Sequence, residues 1–163
     1  MPWHPDADRL GRAGQHVERV EDLVDIAHAL LRRLVARHAQ GRLDTRFPNA
    51  PGSIAYQLPC HLKAQNMGAR SAEVLRLTGA PVEVIERCSA VDGTWGMKKE
   101  YFELSMKLAA PLFRDIEGAK PDRVATDCPL AALQIRQGTG RTVRHPIQIL
   151  AEAYGIELNG DAT

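Results

Sequence analysis

The spacing of hydrophobic positions divides the chain into a helical opening and a longer alternation of strands and helices. Residues 1–20 show no periodicity and read as a poorly ordered lead-in. From Glu21, the residues Leu23, Ile26, Ala27, Leu30, Leu31, Leu34 and Val35 recur at helical spacing. They predict a helix to about Ala39 with Gly41 as its stop. Residues 42–52 carry two prolines, an asparagine and a glycine and read as a linker.

Beyond the linker, strands are predicted at 53–59, 82–88, 123–128 and 141–145. Helices are predicted at 62–77, 97–116, 130–137 and 146–154, the last with Pro146 at its first position. The 97–116 helix would carry Tyr101, Leu104, Leu108 and Leu112 on one face. "QGTG" (137–140) follows a helix rather than a strand, so it reads as a C-terminal cap and not as a phosphate loop. Strands alternating with helices at these lengths make βαβ units. The fold class is therefore α/β: a mainly parallel sheet of about four strands with flanking helices, preceded by one N-terminal helix. The organisation is a lead-in (1–20), a helix and linker (21–50), an α/β domain (51–157) and a tail (158–163).

Composition narrows the function classes. A chain of 163 residues suits one domain. Its net charge of +1, with no run of Lys or Arg, argues against a nucleic-acid binder. No apolar stretch reaches the ~18 residues of a membrane span, and Pro, His and Asp occupy the place of a signal peptide's apolar region. Three cysteines, an odd number, do not form a secreted disulfide framework. The expected location is cytoplasmic, with any membrane association peripheral and through partners.

Cys60, Cys88 and Cys128 each close a predicted strand, and parallel strands bring their C-terminal ends to one sheet edge. His145 holds the same position after the fourth strand. A helix start follows each, where backbone amides favour thiolate, and Pro59, Pro129 and Pro146 stiffen three of the corners. This arrangement fits a metal or iron–sulfur site. It equally fits buried structural thiols, with a thiol nucleophile as a third reading, and the spacings follow no zinc-ribbon or ferredoxin rule. His61 is a fourth ligand, a hydrogen-bond donor to sulfur, or an exposed residue. Gly93 and Gly96 in "GTWG" supply backbone that can approach a bulky group. Trp95 either shields that group or packs in the core, and Asp127 reads as a cap or turn residue.

The stretches "PCHLKAQNMG" (59–68), "ERCSAVDGTWGMKKEYFELS" (86–105), "TDCPLAALQI" (126–135) and "HPIQILAEAYG" (145–155) resemble the C-terminal cysteine-rich (CCG-type) domain of iron–sulfur oxidoreductase subunits. The likeness is nearest to the C subunit of anaerobic glycerol-3-phosphate dehydrogenase and more distant to the B subunit of heterodisulfide reductase. Cys60 matches the family's lone cysteine and Cys88 the first thiol of its Cys-Cys-Gly, with Ser89 and Ala90 in the next two places. Cys128 opens the Cys-x-x-Cys, with Ala131 at the partner position. The resemblance implies an electron-transfer module that takes electrons from flavoprotein dehydrogenase subunits towards quinone. It implies a [4Fe–4S] cluster on Cys60, Cys88 and Cys128, with His145 or His61 as fourth ligand and Gly93, Trp95 and Gly96 around the pocket. Zinc on the same residues, in a structural or docking domain, is the alternative, and an inactive remnant is a third. Relatives also carry a ferredoxin-like region and a first cysteine-rich domain, so this chain looks like the tail of such a protein.

Overall fold

The computed structural model describes residues 20–158, with side chains from residue 29 onward. The predicted lead-in therefore lies outside the described residues, apart from Val20. Helix α1 (Val20–Ala39) opens the fold and stops at Gly41, whose φ of 64° is left-handed. Four short strands follow: β1 (Ile54–Gln57), β2 (Val82–Ile85), β3 (Arg123–Thr126) and β4 (Val143–Arg144). Between and after them lie α2 (Cys60–Ala64), α3 (Arg70–Arg76), a 3-10 turn (Trp95–Met97), α4 (Phe102–Ala119), α5 (Pro129–Thr139) and α6 (Pro146–Ala153).

The sheet is wholly parallel, in the order β2-β1-β3-β4. Because side chains alternate along a strand, β1 and β3 each feed two cores. Ile54, Tyr56 and Ala125 pack with Ala72 and Leu75 of α3 and Ile149 of α6. Ala55 and Val124 face the other way, onto Leu112 and Ile116 of α4 and Ile135 of α5. Helix α1 forms an outer layer, where Leu31, 1% exposed, packs on Val74 and Leu150. Residues 42–52 are not a free linker. Phe47 packs on Tyr154, and Asn49 hydrogen-bonds to the backbone of Glu152 and Ala153.

Three expectations change in detail. The predicted 62–77 helix is two helices, because Asn66 (φ 53°) and Gly68 (φ 69°) turn the backbone left-handed between them. Helix α4 begins only at Phe102, after the 3-10 turn. Its buried stripe is Ser105, Ala109, Leu112 and Ile116, whereas Tyr101, Leu104 and Leu108 are exposed. The cap at "QGTG" is as read: Gly140 ends α5 with φ 70°.

Candidate metal centre at the carboxyl edge of the sheet

The parallel register pairs Gln57 with both Ile85 and Thr126, so β2, β1 and β3 end together on one edge. The cysteines lie just beyond these ends rather than inside the strands. Cys60 is the first residue of α2 and Cys128 caps α5. Cys88 sits in the loop that leaves β2. Shorter strands place the thiols on the turns, where Pro59 and Pro129 set the helix entries. Cys60 and Cys88 are exposed and Cys128 half-buried, and all three are free thiols. Their spatial order follows the strands: Cys88, Cys60, Cys128. Among the described residues, no group of three or more His, Cys, Asp or Glu gathers closely enough to hold a single metal ion.

One buried side chain connects the three corners. Gln57, 1% exposed, donates from Nε2 to the carbonyls of Leu58 and Arg87, each at 3.0 Å. Its Oε1 accepts from the Thr126 hydroxyl at 2.7 Å, and Thr126 Oγ1 accepts the Cys128 amide at 3.3 Å. An ion pair between Lys63 and Glu86, at 2.8 Å, ties the Cys60 helix to the strand-end loop before Cys88. Arg87 pairs with Asp115 of α4 at 2.7 Å.

On the sheet's other face, Asp127, which the sequence reads as a cap or turn residue, is a buried acceptor. Its carboxylate accepts from Tyr56 Oη and Ser71 Oγ, each at 2.5 Å. Burial raises the Tyr56 pKa above its ordinary value, and the Asp127 charge and hydrogen bond reinforce the shift. His145 Nε2 stands 3.7 Å from Asp127, while Nδ1 accepts the Ile147 amide at 3.2 Å. With Gln148 answering from α6, His145 completes a capping box. That cap holds Nδ1, so ligation through it would require breaking the start of α6. His61 lies half-buried on α2 next to Cys60.

The Cys88 loop is held from within. Ala90, at φ 58°, donates its amide to Cys88 Sγ at 3.2 Å, and its carbonyl accepts from buried Ser105 Oγ at 2.7 Å. Ser105 in turn accepts from Gln134 of α5 at 2.7 Å. Gly96 lies against Ser105 and the Ala90 carbonyl, where a Cβ would clash. Gly93 is exposed at φ 62°, and Trp95 is half-buried and stacked on Tyr101 with ring centroids 4.9 Å apart. The residues missed by sequence reasoning are therefore polar: Gln57, Ser71, Ser105 and Thr126. A glutamine and a threonine at the ends of apolar strands were the available signal.

A family model described as a cysteine-rich (CCG) domain matches residues 54–136. The C subunit of anaerobic glycerol-3-phosphate dehydrogenase from Escherichia coli K12 is 37% identical over 105 residues, covering 63% of this chain and 26% of that protein. Its counterpart from Escherichia coli O157:H7 matches over the same extent. The chain thus spans about a quarter of the length of these curated relatives. No solved structure matches the chain.

Proposed function

The chain belongs to the cysteine-rich (CCG) domain family, and on that premise we propose that it is an iron–sulfur electron-transfer module of an oxidoreductase. The observation that carries this reading is the row of three free thiols beyond three adjacent parallel strands, with Gln57 bonded into its corners. Adjacent parallel strands lie about 4.8 Å apart, and among the described residues no three His, Cys, Asp or Glu gather closely enough to hold a single ion. A single zinc ion, with Zn–S bonds of ~2.3 Å, needs its donors much closer. A multi-iron group holds its thiolates farther apart, and soft sulfur donors suit it.

Cys60, Cys88 and Cys128 would hold the group, a [4Fe–4S] cluster in our reading. When bound, it would supply one-electron transfer. The chain's part is to fix the thiols and to set their polarity. Gln57 and Thr126 hold the corners, and the Ala90 amide places a hydrogen-bond donor on the Cys88 sulfur, a known influence on cluster potential. His145 serves α6 as its cap. The relatives are named as the C subunit of a dehydrogenase, which supports partner subunits here; a flavoprotein donor and electron flow towards quinone complete the proposal. Among the described residues no helix is long and apolar enough to cross a membrane.

Iron, zinc and acid-labile sulfide are measured per chain after anaerobic reconstitution, alongside Cys60→Ser, Cys88→Ser and Cys128→Ser. Iron and sulfide near four each, lost in every variant, with an electron-paramagnetic-resonance signal on reduction, is the expected result. Stoichiometric zinc without sulfide would overturn it in favour of a structural zinc domain. Absence of metal would show that the thiols hold none.

A further inference from the structure

Helix α4 and the turn before it carry an apolar stripe that no described element covers. The helix buries Ser105, Ala109, Leu112 and Ile116, and Gly138 of α5 lies against Phe113 on its far side. Met97, Tyr101, Leu104 and Leu108 are left between 40% and 57% exposed. Helical bonding runs back past the start of α4: the Lys98 carbonyl accepts from the Phe102 amide at 2.9 Å, and the Tyr101 carbonyl from the Ser105 amide at 2.8 Å. The four apolar residues therefore recur at alternating steps of four and three along one side, which is the spacing of a helix–helix seam.

The charges beside the stripe indicate what covers it. Glu100 and Lys107 lie along one flank, two helical turns apart, exposed and without an ion pair among the described residues. A second copy laid antiparallel, about a two-fold axis at the middle of the stripe, brings Glu100 of each copy to Lys107 of the other. The same operation sets Met97 against Leu108 and Tyr101 against Leu104. The stripe is thus complementary to itself in both shape register and charge.

We propose that α4 forms an isologous, antiparallel seam with α4 of a second copy of this chain, with the four apolar residues inside and Glu100–Lys107 ion pairs at its edge. The seam borders the Cys88 loop through the stack of Trp95 on Tyr101. It uses no thiol and stands whatever the cysteines hold.

Sedimentation equilibrium of the full chain tests this, with a reductant present so that disulfide-linked dimers do not form. A monomer–dimer equilibrium with a Kd of about 100 μM or tighter is expected. Leu104→Glu and Leu108→Glu, at exposed positions, should each keep the melting temperature of the dilute chain and weaken dimerisation by about tenfold or more. Glu100→Lys and Lys107→Glu each oppose like charges twice in a dimer and should weaken it by about fivefold or more. Mixing these two single variants should restore association, because every charge then meets its opposite. The proposal fails if the chain stays monomeric up to about 1 mM, which would leave the stripe to a different protein. It fails equally if both leucine variants dimerise as the unaltered chain does, or if the mixed charge variants associate no better than either alone.

Discussion

Gln57 and Thr126, the last residues of the two central strands, are joined side chain to side chain at 2.7 Å on the sheet face that α4 and α5 cover. This bond sits at the centre of the thiol row, and the same glutamine also grips the carbonyls of Leu58 and Arg87. Replacing it with an apolar residue would leave several buried groups without partners, at about 1–3 kcal/mol for each group left unsatisfied. Gln57→Leu should therefore lower the urea midpoint. It should also reduce iron retention more than Leu112→Ala, a core change of about 2–5 kcal/mol with no bond to the corners. Equal iron loss in the two variants would assign Gln57 a purely structural role.

Tyr56 and Asp127 make the corresponding contact on the opposite face. Tyr56→Phe removes one of the two hydroxyl donors to a buried carboxylate and should cost about 1–3 kcal/mol at neutral pH. The folded-state pKa of Tyr56 lies above its ordinary value of 10.0, first from burial and then from the Asp127 charge. Its contribution is complete below pH 10 and is lost as pH rises further, because the unfolded tyrosine ionises first. The stability gap between the unaltered chain and Tyr56→Phe should therefore narrow above pH 10 in urea titrations.

These polar pairs explain which parts of the molecule the sequence revealed. The α/β class, the four strands and their shared edge followed from hydrophobic periodicity, which is a local property. Gln57–Thr126 and Tyr56–Asp127 join residues about 70 positions apart, and no local pattern encodes such pairs. Helix α4 misled for a different reason. The sequence puts Tyr101, Leu104, Leu108 and Leu112 on one face, but of these only Leu112 is buried, and the buried stripe includes small Ser105 and Ala109. Close approach selected residue size over hydrophobicity there. The break between α2 and α3 depends on left-handed Asn66 together with Gly68, and one glycine within a helical pattern is weak evidence for an interruption.

At the opposite edge, Asp122 anchors the start of β1. It accepts from the Ser53 amide at 2.7 Å and the Ser53 hydroxyl at 2.8 Å. These bonds hold its pKa below the ordinary value of 3.8, with the backbone bond the larger cause. A lowered carboxylate pKa adds stability above the unfolded value and loses it as pH falls through the folded value. Asp122→Asn should melt at a lower temperature near neutral pH. The difference should shrink below about pH 4, as thermal melts across pH would record. A constant difference down to pH 2 would mean that charge plays no part in this anchor.

Ala90 offers a test of opposite sign within the Cys88 loop. The resemblance to the Cys-Cys-Gly motif would put a glycine at this position, and the φ of 58° at Ala90 is one that glycine adopts without strain. A left-handed alanine is disfavoured by about 1–2 kcal/mol, whereas glycine returns about 0.5–1 kcal/mol through the freer unfolded chain. Ala90→Gly should therefore stabilise the domain by about 0.5–1 kcal/mol. It should keep the amide on Cys88 Sγ and with it the iron content. Gly96→Ala, in the same loop, should destabilise by about 1–3 kcal/mol, because its Cβ would meet Ser105 Oγ and come within 2.8 Å of the Ala90 carbonyl. Urea unfolding of the two variants should move the midpoint in opposite directions. A loss of stability in Ala90→Gly would mean that the alanine methyl, 9% exposed at residue level, contributes more through packing than the left-handed turn costs.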